Sequence, residues 1–351
     1  MPKRAARRFT ESEFKIIKAI VTSLSYAEVA RKTGFTIPYV SRKVRDLYGK
    51  VYFNAWFDFK ALGLTQVFIE ASYDERFFKA LVSEGLPYFI SASHLIKGKR
   101  DRILMYALLP EPYVGRVVDA LPLRDKEAYV PAVYYRWRPD EAELTKLEKG
   151  QIVGDIEGIV KVYSRVEVEE VPGAVRALPD EIDIAIISKL MQNPYANLID
   201  VARAMGVRQQ VVSYHFLRHV RPLWLYNLVS LDFDPEETPL KVYRISMSEP
   251  EAARRLAKAL VQTPYFQAAF IPRMDPSRIT AFTVLPGELE LRTYRVLRRI
   301  DEVEDFELHA IMECDLMARW ALPSRDIVSE GAWLVEPLTR KLKEIEALAS
   351  G

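Results

Sequence analysis

Four histidines are all this chain has, His94, His215, His219 and His309, and two of them lie four residues apart. His215 and His219 fall in "YHFLRHV", on an expected helix, where that spacing puts both imidazoles on one face within reach of one metal ion. No cysteine or clear third ligand lies near them in sequence, so no metal is assigned and they are read as nucleic-acid-facing or surface side chains. The single cysteine, Cys314, follows an expected strand and reads as a small apolar core residue. Neither a glycine-rich phosphate loop nor a nucleophile-elbow pattern is present. The stretch "GKRD" offers one more option. Gly98 permits close backbone approach and Asp101 could hold a ligand amine, with a simple turn as the plainer alternative.

Charge points elsewhere. Residues 1–50 carry twelve Lys/Arg against four Asp/Glu, in a chain whose net charge is only +2. A local excess of this kind is the footprint of a phosphate-facing module. Thr10 and Glu13 are spaced as a capping box and open a first helix, and Ser25 and Glu28 repeat the spacing before a second. Gly34 suits a left-handed helix end, and Thr36 can cap a third helix with Pro38 in its first turn. Val40, Val44 and Leu47 then face a core, while Thr36, Tyr39, Ser41, Arg42 and Arg45 face out. This pattern predicts a helix-turn-helix whose last helix meets double-stranded DNA.

The pattern occurs twice. Val29-Ala30-Arg31, Gly34 and Val40-Ser41 are matched by Val201-Ala202-Arg203, Gly206 and Val212-Ser213. A second reader over 178–222 would present Arg208, Gln209, Gln210, Ser213, Tyr214 and Arg218. Its charge is nearly balanced, five Lys/Arg against four acids, so it is expected to add selectivity more than affinity. Downstream, Pro-Tyr-Phe recurs at 87–89 and 264–266. Each half then reads strand–helix–strand–strand–helix–strand, the order of a ferredoxin-like unit.

The expected fold class is therefore α+β, with two helix-turn-helix (winged-helix-like) units each followed by a ferredoxin-like βαββαβ domain. The expected boundaries are 1–50 and 51–138 for the first pair, 139–177 for a connector, 178–222 and 223–317 for the second pair. Residues 318–351 are expected to end the chain in an amphipathic helix, with Trp333, Leu334, Leu338, Leu342 and Ile345 along its apolar stripe.

The stretch "LPDEIDIAIISKLMQNPYANLIDVARAMGV", with Asp180, Asp183, Ile187 and Leu190, resembles the helix-turn-helix opening of the leucine-responsive/asparagine-synthetase (Lrp/AsnC) regulators. "GKVYFNAWFDFKALG" resembles that family's linker strand, and "GKRDRIL" its Gly-x-x-Asp hairpin. The second half reads "PRMDPSRIT" where that hairpin would recur. The resemblance implies a dimeric DNA-binding regulator that takes an amino-acid effector between its regulatory domains, at Gly98 and Asp101 here. Siroheme decarboxylases are similar to the same family, also with paired copies and with functional histidines in the region of His94. This sequence reads "ASHLIKGKRDR" there and lacks their His-Asn-Tyr pattern.

Nearly half of the residues are apolar, and no apolar run approaches the roughly 18–20 residues of a membrane span. The basic start is not followed by an apolar signal-peptide core, which sets a cytoplasmic expectation. The five tryptophans are scattered beside expected strands and helices and read as core or interface anchors. The leading expectation is a non-enzymatic, sequence-specific transcription regulator without a cofactor, binding double-stranded DNA, with an amino-acid effector and a homodimer as further partners. The alternatives are a siroheme-decarboxylase-like enzyme and a protein-interaction module that does not bind DNA.

Overall fold

The computed structural model describes residues 8–168, 177–323, 326–329 and 331–350; the side chains of Cys314 and Ser350 lie outside that description. The reading of Cys314 as a core residue therefore falls outside the described residues.

Helices α1 (Glu11–Val21), α2 (Tyr26–Thr33) and α3 (Ile37–Leu47) form as the capping signals predict. Thr10 and Glu13 make the reciprocal capping box. Ser25 caps α2, but Glu28 reaches past it to the Leu24 N–H at 2.7 Å. Gly34 ends α2 at φ +75°, and Thr36 caps α3. Strands β1 (Val51–Phe57) and β2 (Leu64–Ser72) follow, then α4 (Glu75–Glu84), β3 (Phe89–Lys97), β4 (Arg100–Pro110) and α5 (Val114–Ala120). The expected next strand is cut in two, β5 (Glu127–Tyr129) and β6 (Pro131–Arg136). The connector is not irregular. It holds a hairpin, β7 (Thr145–Glu148) with β8 (Gln151–Gly154), and α6 (Gly158–Tyr163).

The second half opens with α7 (Glu181–Gln192), α8 (Ile199–Met205) and α9 (Gln209–His215). A π-helical turn, Phe216–Val220, extends α9. Next come β9 (Trp224–Leu231), β10 (Leu240–Met247), α10 (Pro250–Leu260), β11 (Phe266–Pro272), β12 (Arg278–Thr283), α11 (Gly287–Leu297) and β13 (Val303–Arg319). The two-residue strands β14 (Val328–Ser329) and β15 (Ala332–Trp333) precede α12 (Glu336–Ser350).

These elements do not assemble half by half. One unit takes Met1–Phe53, Pro131–Val171 and Tyr226–Met312; the other takes Asn54–Val130, Pro172–Leu225 and Glu313–Gly351. The first helix-turn-helix thus shares a unit with the second α/β region, and the second helix-turn-helix with the first. In the first unit the strands run β13-β10-β12-β11-β6, with α10 laid on them and Leu256 and Leu260 fully buried. In the second unit they run β5-β2-β4-β3, followed by the end of β13. β13 contributes residues 303–312 to one unit and 313–319 to the other, so the strand order is a single series of nine.

This corrects the expected pair of separate helix-turn-helix plus ferredoxin-like repeats. The element types recur as predicted, but each half gives the end of its last strand region away, β6 in the first and residues 313–319 of β13 in the second. Pro131 has no N–H to donate, and after it β6 pairs with β11 (Tyr134 opposite Phe270) instead of continuing along β2. The C-terminal stripe is also revised. Leu338, Leu342 and Ile345 of α12 are buried, but Trp333 precedes the helix and donates its Nε1–H to the Leu62 carbonyl at 2.7 Å.

Candidate functional site

His94 is the buried histidine on β3, in the second unit. The register sets Ala71, His94 and Ile103 side by side on neighbouring strands, and Tyr73, Ile96 and Asp101 one step further along the same face. Most of that face is apolar: Ile69, Ala71, Ala92, Ile103 and Met105 are at most 1% exposed. His94 marks where it turns polar. Its Nδ1 lies 2.7 Å from Glu313 Oε2, on β13. Its Nε2 lies 3.3 Å from Asp101 Oδ1, near enough for ion pairing. The angle is poor, however, and this nitrogen has no hydrogen-bond partner among the described residues. The Tyr73 ring leans over the imidazole with centroids 4.4 Å apart. Burial pushes the Tyr73 hydroxyl above its ordinary pKa, and the Glu75, Glu313 and Asp101 carboxylates add to the effect while Lys79 opposes it.

The imidazole side chain is 8% exposed, while Asp101 and Glu313 are 62% and 43% exposed. A buried imidazole flanked by two solvent-reaching carboxylates is an arrangement for moving protons. The carboxylates can stabilise an imidazolium and pass protons to it from water, and Nε2 has no competing hydrogen bond.

Beyond Ile96 the strands turn through Lys97–Arg100, with Gly98 at φ +61°. A Cβ at Gly98 would meet nothing within 4 Å, so the space beside this turn is open. Lys99 and Arg100 are exposed. On the other face of the same strands Arg102 is consumed internally. It bonds Glu70 Oε1 at 3.1 Å, Ser72 Oγ at 3.2 Å and the Asp125 carbonyl at 2.7 Å.

A second cluster lies in the same unit. Asp180 caps α7 and forms a reciprocal capping box with Asp183. His215 Nδ1 is 2.9 Å from Asp183 Oδ1 and 3.5 Å from Asp180 Oδ2. His219 Nδ1 is 3.2 Å and 3.3 Å from the two Asp183 oxygens. The four side chains each offer one ligand atom within 4.8 Å of the others. Of the two histidines read as DNA-facing or surface groups, His215 is half-buried against α7 and His219 is exposed. The π-helical turn adds a residue's worth of rotation between them, and both rings point back at α7.

Of the other expected site residues, Tyr214 packs edge-on against the rings of His215 and His219, with centroids 5.9 Å and 5.6 Å away. In the first unit Thr36 is occupied as a cap and Tyr39 donates its hydroxyl to Ser12 Oγ at 3.1 Å. Arg42 lies over the Tyr39 ring at 5.5 Å, with Ser41 half-buried and Arg45 exposed. In the second unit Gln209, Gln210, Ser213 and Tyr214 are exposed on the seven residues of α9, with Arg208 exposed just before it and Arg218 exposed in the π-helical turn after it. Of the expected ligand pair, Asp101 reaches His94 and Gly98 shapes the turn.

Sequence reading missed Tyr73 and Glu313. Neither shares a motif with His94, and Glu313 is 219 residues away from it. For the second cluster a signal existed: a capping pair of aspartates in one helix and a four-residue histidine pair in another.

The chain is similar in fold to the siroheme decarboxylase NirDL, with a TM-score of 0.50, 12% identity, 97% of this chain covered and 100% of that one. A structure of NirDL in co-complex with an iron-uroporphyrin III analogue matches with a TM-score of 0.50, 11% identity and coverage of 95% and 99%. The structure of PH0061 matches 38% of this chain and 98% of its own length at 17% identity, with a TM-score of 0.29. No family model matches the sequence, and neither does any curated protein.

These findings correct the expected Lrp/AsnC-type regulator. The end-to-end fold match is to an enzyme, and a clustered Asp/His site stands where a second DNA reader was expected. The expectations of no enzymatic activity, of double-stranded DNA as partner and of an amino-acid effector go with it. The physical reason is that helix-turn-helix signals report caps, a glycine turn and an amphipathic helix. Any tightly turned helix triplet needs those, whether or not it meets DNA. Among the described residues no helix is long and apolar enough to cross a membrane.

Proposed function

We propose that this chain is a decarboxylase acting on a carboxylate side chain of an iron tetrapyrrole, in the manner named for its structural relative. The observation that carries this reading is the setting of His94: buried, one ring nitrogen on Glu313, the other beside Asp101 without a hydrogen bond. The match in fold along nearly the whole chain supports it.

The chemistry needs little. When the bond between carbon and carboxylate breaks, carbon dioxide leaves and its bonding electrons remain on the carbon. A proton must then be delivered to that carbon. The net change is one proton in and one carbon dioxide out, with no oxidant or reductant. In this reading His94 delivers the proton from Nε2 as general acid, and Glu313 and Asp101 recharge it from solvent. Tyr73, held neutral by burial, covers one side of the imidazole and limits water there. Lys99 and Arg100 in the adjoining turn supply positive charge for a substrate with several carboxylates. A cytoplasmic setting goes with this reading, since one cysteine leaves the fold independent of internal disulfides.

The test is a visible-absorbance titration of the purified chain with iron uroporphyrin III. The reading expects a saturable shift of the iron-porphyrin bands at one or two equivalents. A spectrum identical to that of the free porphyrin would overturn it.

A further inference from the structure

We infer that Asp180, Asp183, His215 and His219 form a site for one divalent transition-metal ion, with zinc the best fit. The inference does not depend on the proposed activity, because these residues lie on α7 and the end of α9, away from His94.

The first argument is geometric. In a tetrahedral site with metal–ligand distances of about 2.0–2.1 Å, neighbouring ligand atoms sit about 3.3 Å apart. The closest N–O pairs here are 2.9, 3.2 and 3.5 Å. These pairs already lie near coordination-shell spacing, and the remaining donor separations are at most 4.8 Å. Two imidazole nitrogens and two carboxylate oxygens suit zinc, and no thiolate is needed.

The second argument comes from the other copy of the same helix triplet. There the capping carboxylate is Glu13, 4% exposed, and Lys43 neutralises it across 3.2 Å. In the second copy Asp183, 2% exposed, occupies the capping position, and the lysine's place is taken by His215. A permanent ammonium has been replaced by an imidazole, and a second imidazole has been brought in by the π-helical turn. A buried carboxylate is costly without a cation. In one copy the cation is built in; in the other, two imidazoles and a second aspartate complete a set of donors that can take one from solution.

The third argument is mechanical. The four ligands come from the start of α7 and the end of the α9 extension, so a bound ion ties the first and last elements of the triplet together. The shell is partly open: Asp180 is 49% exposed and His219 42%, which gives the ion a way in.

The probe is cobalt(II), whose visible absorption is strong in tetrahedral and weak in octahedral coordination. The full chain is titrated with cobalt chloride after chelator treatment, then with zinc chloride. The inference expects one equivalent per chain, a strong visible band, and displacement of that band by one equivalent of zinc. His215→Gln and His219→Gln should each weaken cobalt binding by at least about tenfold, the lower end of what losing even an outer-shell partner costs. Both variants leave the Asp180–Asp183 capping box intact, and circular dichroism checks that they fold. His94→Gln should bind cobalt as the parent does. Absence of a strong band, a band untouched by both substitutions, or a band lost in His94→Gln would each overturn the assignment.

Discussion

Asn54 donates through Nδ2 to the Met191 carbonyl at 2.6 Å, tying a strand of the first half to the end of a helix of the second. Asn227 mirrors it. Its Nδ2 donates to the Ile20 carbonyl at 2.8 Å and the Ser23 carbonyl at 2.7 Å, closing the end of α1. The last carbonyls of a helix have no partner within the helix, and each asparagine supplies one from the opposite copy. The interleaving of the copies is thus written into hydrogen bonds as well as strand order. Asn227 is 1% exposed, so Asn227→Leu takes the side-chain donor from the Ser23 carbonyl, while the Ile20 carbonyl keeps the Ser23 N–H at 3.1 Å. The expected loss is about 1–3 kcal/mol for each carbonyl left without a donor. Urea denaturation followed by circular dichroism measures it, and an unchanged midpoint would count against this role.

Tyr88 gives an alkaline limit to stability. It is fully buried and donates to the Leu334 carbonyl at 2.6 Å, with the Ile327 carbonyl at 3.0 Å. Burial pushes its pKa well above the ordinary 10.0, and Glu336 adds to the shift. The folded state therefore holds its proton where the unfolded chain loses it. The contribution is complete below pH 10 and drains away as pH rises above that value. Tyr88→Phe should be less stable than the parent at neutral pH and should lose less on going to alkali. Parallel denaturation curves for the two proteins across pH 8–11, with a constant gap, would refute the assignment.

The turn beside His94 should act electrostatically. Replacing Lys99 and Arg100 by glutamate changes exposed groups and should leave the fold intact. Binding of iron uroporphyrin III should weaken, and the loss should shrink as salt is added, because exposed charges are screened over about 10 Å at 0.1 M. Absorbance titrations at low and high salt give the comparison. Equal affinity for parent and variant at low salt would remove the turn from the binding account.

Local structure was legible in the sequence because its causes are local. Thr10, Ser25, Thr36 and Asp180 start helices as capping chemistry requires, and Gly34 and Gly206 end them at positive φ. The duplication was equally plain. Which copy each element would join was not, because the same apolar face of β6 or β13 can pair with either sheet and periodicity carries no address. His94 and Asp101 were flagged from the β3–β4 hairpin, but Glu313 enters from a strand whose path depends on that exchange. His215 and His219 were noted as a pair on one helix face. Their partners Asp180 and Asp183 stand in the stretch that resembles a helix-turn-helix opening, and that resemblance drew no attention to their capacity as ligands.

In the proposed reaction His94 delivers the proton that completes decarboxylation, and mass spectrometry of the tetrapyrrole follows that step. Siroheme or iron uroporphyrin III is incubated without oxygen with the parent chain, and separately with His94→Gln. The account predicts loss of carbon dioxide from the porphyrin with the parent. With the variant the rate should be lower by about a hundredfold to ten-thousandfold, the usual contribution of a positioned general acid. The absorbance shift on binding should persist in both. Decarboxylation at equal rates in the two proteins, or an unaltered porphyrin mass with the parent, would contradict it.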